Sequence, residues 1–131
     1  RQRQMCIRDR CLSEDKVLET IKQCFNETGY LLDTHTAIGY GVLKQYQKAT
    51  GDNTKTVLLS TASPYKFPES VYQAIYGEEL DVYNAINKLN EKTGVPIPKA
   101  LAGIKDREVL HKQTIDKTEI ISFIKSEIEA M

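Results

Sequence analysis

The sequence predicts an α/β piece, mostly helices around one or two strands that complete a larger sheet. Three observations carry this reading. Apolar residues recur at helical spacing in several stretches, each opened by a capping residue and closed near a glycine. One short apolar run, Thr56–Ser60 (TVLLS), has a β-branched start and turn residues on both sides, the pattern of a buried parallel strand. A lone strand cannot make a sheet, so its partners are expected from outside this sequence.

The elements follow in order. Ser13 is an N-cap residue, and Glu14 and Asp15 suit the positive end of a helix dipole. Val17, Leu18, Ile21, Cys24 and Phe25 then repeat at helical spacing until Gly29 stops the helix. Tyr30, Leu31 and Leu32 make a short extended apolar link. Asp33 can cap a second helix whose expected inner face is Ala37, Ile38, Gly41, Val42 and Tyr46, fading through Lys48–Asn53 with Gly51. Gly39 and Gly41 inside that helix cost about 1 kcal/mol each against alanine, which implies close approach of another backbone or a ligand.

After the strand, Thr61–Pro68 (TASPYKFP) reads as a loop, since Pro64 biases Ser63 away from helix and Pro68 suits a first helical turn. A helix is expected from about Glu69 to Tyr76, with Val71, Ala74 and Ile75 inward and Gly77 at its end. Asp81 opens another, carrying Val82, Ala85, Ile86 and Leu89 and closing near Gly94. Pro96 and Pro98 make residues 95–103 a loop. Asp116 with Glu119 resembles a capping box before a last helix, with Ile120, Ile121, Ile124 and Ile128 on one face.

Composition narrows the function classes. The 131 residues fit one domain, and 18 basic residues balance 18 acidic ones, so no polyanion-seeking field is expected and nucleic acid is not an expected partner. No apolar run approaches the roughly 20 residues that span a bilayer, and no secretory signal is readable; no membrane partner and a cytoplasmic address are the expectation. The three cysteines, Cys6, Cys11 and Cys24, lie far from His35 and His111, the two histidines, so no metal site is expected. Cys24 reads as a small buried hydrophobe. Residues 1–10, RQRQMCIRDR, carry four arginines without apolar period or capping logic. They resemble translated adapter read-through and are expected to be an extraneous segment before the domain portion 11–131.

The chemistry-bearing stretch is a strand running into a polar loop, TVLLSTASPYKFPES. In open α/β sheets ligands sit past the carboxyl ends of strands, where Ser60, Thr61 and Ser63 would place hydroxyls and Lys66 a cation. An ordinary turn whose hydroxyls bond local backbone is the competing reading.

Residues 30–47, YLLDTHTAIGYGVLKQYQ, and residues 57–72, VLLSTASPYKFPESVY, resemble two segments of the threonine synthase family, the second being its STASPYKF loop. Their order and separation also resemble that family, with Thr34 standing where it usually has proline. Asp33 can still cap there, so a small stability change is expected. The resemblance implies the C-terminal part of a fold type II pyridoxal-phosphate enzyme, a carbon–oxygen lyase acting on phosphates that turns O-phospho-L-homoserine and water into L-threonine and phosphate. It implies pyridoxal 5'-phosphate as cofactor and electron sink, with Thr61, or alternatively Ser60, facing the pyridine nitrogen. His35 and Lys66 are the substrate-site candidates, His35 by its place in the first motif and Lys66 as a cation for the substrate phosphate. No catalytic residue is assigned: the family's cofactor-anchoring lysine and glycine-rich phosphate loop have no match, so this chain alone is expected to be inactive. The alternatives are a small helical interaction module that buries its own core, or another fold type II lyase.

Overall fold

The computed structural model describes residues 11–110 and 112–130. The expectation for residues 1–10 lies outside these described residues. Among the described residues five helices form: α1 (Glu14–Thr28), α2 (Thr34–Thr50), α3 (Pro68–Tyr76), α4 (Val82–Thr93) and α5 (Ile120–Glu129), with short 3-10 turns at Pro64–Lys66 and Ile104–Asp106. α1 packs on α2 and α3, and α3 packs on α4.

Helix ends follow local chemistry. Asp33 accepts hydrogen bonds from the amides of His35 and Thr36, and Asp81 does the same for Tyr83 and Asn84. Ser13 has the extended backbone of an N-cap, but its side chain makes no capping bond. Gly29, at φ 72°, turns left-handed so that its amide closes on the Phe25 carbonyl at 2.8 Å. At the start of α5 only half of the expected box forms. Glu119 accepts from the Asp116 amide at 3.4 Å, while the Asp116 carboxylate takes the Thr118 amide and hydroxyl instead.

The core is built from Val17, Ile21 and Cys24 of α1, Leu31 and Leu32 of the link, Ala37 of α2, Tyr65, then Val71, Tyr72, Ala74 and Ile75 of α3 and Ala85, Ile86 and Leu89 of α4. Each fully buried aliphatic side chain contributes about 1.5–3 kcal/mol relative to exposure. On α2 the expected inner face is only partly inward. Ala37 and Gly41 are buried, whereas Ile38 and Tyr46 are exposed, because α2 meets chiefly α1 and one narrow stripe suffices. The apolar face of α5, Ile120, Ile121, Ile124 and Ile128, is exposed throughout.

The strand expectation is not borne out within this chain: among the described residues there is no strand, and the described fold is helical. Residues 56–60 run without regular structure, with Val57 87% and Leu59 79% exposed. The physical reason is that a ladder needs a second backbone, and none of the described residues supplies one. Between those two, Leu58 folds back over α2. A methyl group built on Gly39 would meet Leu58 Cδ1 at 2.9 Å, and one on Gly41 would meet the Leu12 side chain and Thr20 Oγ1. The two helical glycines therefore admit side chains from neighbouring segments, where another backbone or a ligand had been expected.

Candidate functional site

The polar residues of interest gather where α2 begins. Asp33 is 1% exposed and occupies the N-cap. Its Oδ1 accepts from the amides of His35 at 2.9 Å and Thr36 at 3.1 Å, and its Oδ2 accepts from the Thr36 hydroxyl. A further donor comes from 27 residues downstream: the Ser60 hydroxyl lies 3.3 Å from Oδ2 and 3.0 Å from Thr36 Oγ1. Burial alone would raise the Asp33 carboxyl pKa. Hydrogen bonds from the Thr36 hydroxyl and amide, the His35 amide and the Ser60 hydroxyl outweigh that and hold it below its ordinary value. The aspartate is therefore ionised at neutral pH.

The loop after Ser60 is fixed from its other end. Ser63 accepts from the Tyr65 amide at 3.2 Å, opening the 3-10 turn that Pro64 begins. Tyr65 is buried, and its hydroxyl donates to the Val95 carbonyl at 2.5 Å, just past the end of α4. Asn90 donates to the same carbonyl at 2.9 Å. Phe67 then comes under the imidazole of His35, ring centroids 5.1 Å apart, and Lys66 Nζ lies 5.6 Å from the Phe67 ring.

Of the four site residues expected from sequence, the fold draws three into one cluster. Ser60 bonds Asp33 directly. His35 carries its Nδ1 3.8 Å from Asp33 Oδ1 and leans on Phe67, and Lys66 Nζ approaches the same ring. Thr61 follows Ser60 in the chain and is exposed. His35, Ser60 and Lys66 are exposed too, so the cluster forms an open face with a buried anion beneath it. Such an arrangement can present hydroxyl, imidazole and ammonium groups to a ligand arriving from outside, and the carboxylate holds the His35 amide and the Ser60 hydroxyl. Among the described residues no group of histidine, cysteine, aspartate or glutamate has metal-holding geometry.

Asp33 as the centre of the cluster, Thr36 as its second member and Phe67 as its floor were not foreseen. Asp33 and Thr36 stand three apart, a capping spacing that was there to read. The bond to Ser60 has no local signature.

A family model described as threonine synthase, C-terminal, matches residues 36–124. Among curated proteins, the chain is 37% identical to a threonine synthase of Pseudomonas aeruginosa over 67 residues, which is 51% of this chain and 14% of that protein. It is 38% identical to a threonine synthase of Haemophilus influenzae over 80 residues, 61% of this chain and 18% of that protein. It is 32% identical to the human threonine synthase-like 1 over 91 residues, 60% of this chain and 12% of that protein. The match thus spans less than a fifth of the length of each of these relatives.

Proposed function

Because the chain belongs to the threonine synthase family, matching its C-terminal region over residues 36–124, we propose that it serves as the C-terminal part of a pyridoxal-phosphate-dependent lyase. The reaction is conversion of O-phospho-L-homoserine and water to L-threonine and phosphate. The observation that carries this reading is the tie between Asp33 and Ser60, which joins the two resembling segments into one unit with Thr61 exposed beside it.

The donor set fits one edge of the cofactor. A pyridine nitrogen needs a single hydrogen-bond donor, and the exposed Thr61 hydroxyl offers one; Ser60 is the near alternative. The described glycines do not form a phosphate cradle, since Gly29, Gly51, Gly77 and Gly94 each close a helix. The reading assigns the phosphate site and the cofactor-anchoring lysine to the remainder of the enzyme. When bound, pyridoxal phosphate supplies an electron sink for loss of the substrate phosphate. A neutral hydroxyl from Thr61 donates to the ring nitrogen without protonating it. Lys66 provides a positive charge for the leaving phosphate, and His35, held over Phe67, orients the loop.

No described helix is long and apolar enough to cross a membrane. A cytoplasmic enzyme of a small-molecule substrate, without nucleic-acid or membrane partners, is the proposed setting. A self-contained helical module would bury its own apolar residues, and the exposure of Val57, Leu59 and the isoleucines of α5 speaks against it.

The test is an assay of the complete protein that carries this segment, loaded with pyridoxal phosphate and given O-phospho-L-homoserine. Threonine and phosphate are expected in equal amounts. Cofactor binding without either product refutes the proposed reaction and leaves another lyase of this fold type.

A further inference from the structure

Asp33 does more than cap a helix. A cap needs one acceptor oxygen for the first-turn amides, and Oδ1 fills that role with His35 and Thr36. The second oxygen, Oδ2, faces the hydroxyls of Thr36 and Ser60. We propose that Asp33 is a positioning residue for the reaction: it holds the Ser60 hydroxyl inward, so that Thr61 is the hydroxyl presented to the cofactor. This rests on the threonine synthase reading above.

Proton counting carries the argument. Each hydroxyl has one proton, and the carboxylate has none. If Thr36 gives its proton to Asp33, Ser60 meets its neighbours only by donating to Oδ2 or to Thr36 Oγ1. If Thr36 gives its proton to Ser60, Oδ2 remains an acceptor that the Ser60 proton can reach. The one further acceptor near Ser60 is the Ala62 carbonyl at 3.4 Å, again within the chain. The Ser60 hydroxyl thus has acceptors within the chain at Asp33 and Ala62, whereas the Thr61 hydroxyl, equally exposed, makes no hydrogen bond among the described residues. Tyr65, buried and bonded to Val95, fixes the far side of the loop, so a loss at Asp33 lets Ser60 and Thr61 shift without releasing the rest.

Asp33→Asn separates the two tasks of this residue. Asparagine caps as well as aspartate, but its amide nitrogen cannot accept from a hydroxyl. In the complete, cofactor-loaded protein, Asp33→Asn, Ser60→Ala, their combination and Thr61→Val are compared by cofactor absorption, kcat and KM. Asp33→Asn and Thr61→Val should shift the cofactor band in the same direction and lower kcat about tenfold, the size of one lost hydrogen bond, with KM within about twofold. Ser60→Ala should shift it less, and the double variant should be no worse than Asp33→Asn, since both break one link.

A wild-type band and kcat in Asp33→Asn overturn the proposal. So does a Ser60→Ala variant as impaired as Thr61→Val, which would put Ser60 on the ring. Should Asp33→Asn fail to fold, Thr36→Val removes a hydroxyl from the same cluster and must give the shift; an unshifted band overturns the proposal. If the wild-type protein binds cofactor but makes no threonine, the proposed reaction fails while the spectral comparison still decides the role of Asp33. If it binds no cofactor, amide exchange over residues 56–63 decides: faster exchange in Asp33→Asn supports the positioning role, and unchanged exchange overturns it.

Discussion

Asp33 Oδ2 and Ser60 Oγ, 27 residues apart in the chain, lie 3.3 Å from one another and join the start of α2 to the start of the TASPYKF loop. The bond turns a helix cap into a long-range tie. Both segments that resemble threonine synthases are thereby parts of one cluster.

Asp33→Ala should destabilise the chain by about 2–3 kcal/mol. About 1 kcal/mol comes from the lost cap, and the remainder from the Thr36 hydroxyl and the amides left without an acceptor in a buried place. Urea denaturation of the variant beside wild type measures it. A loss under about 0.5 kcal/mol, the size of an ordinary surface substitution, contradicts this account.

Acid stability should depend on the same group. The Asp33 carboxyl lies below its ordinary value of 3.8 in the folded chain, so its contribution is fully present above that value. It is lost as pH falls through the lower, folded value, where the native state takes up the proton. Asp81 is shifted in the same direction, first through the Asn84 amide, and adds to the acid limb. Denaturation midpoints between neutral pH and the acid range should fall toward acid in wild type and fall less steeply in Asp33→Asn.

Much of this was legible in the sequence, and the gaps have physical causes. Asp33 and Asp81 could be placed as caps, and Gly29, Gly77 and Gly94 as stops, because those signals are local. The outward turn of Ile38 and Tyr46 was not legible, since periodicity gives a stripe and not the width of the surface that covers it. Thr56–Ser60 has strand composition, but composition cannot supply the neighbouring backbone. The role of Asp33 toward Ser60 depends on how α2 and the loop meet, which no window of sequence contains. His35 and Lys66 were singled out one by one, and Phe67, the ring that both approach, was not.

The two helical glycines should respond in opposite ways to alanine. At Gly39 the new methyl meets only the end of Leu58, a flexible side chain that can move aside. The helix-propensity gain of up to about 1 kcal/mol should then prevail. At Gly41 it meets Leu12 and Thr20, between α1 and α2, and overpacking of about 1–3 kcal/mol should exceed the gain. Thermal melts of Gly39→Ala and Gly41→Ala check the two signs.

The exposed side chains of Val57 and Leu59 should make this chain bind a dye that reports apolar surface. Val57→Thr combined with Leu59→Thr should lower the signal without lowering stability, since neither side chain is buried. Unchanged dye binding would move the apolar surface elsewhere, with the isoleucine face of α5 next to be substituted.

The most direct measurement of the central tie is a double-mutant cycle between Asp33 and Ser60, read by denaturant unfolding of wild type, Asp33→Asn, Ser60→Ala and the pair. A shared hydrogen bond to an ionised carboxylate predicts a coupling of about 1 kcal/mol, so that Ser60→Ala costs less once Asp33 is already changed. Additive effects, with a coupling below about 0.3 kcal/mol, would mean that the two segments merely lie side by side, and would contradict the account.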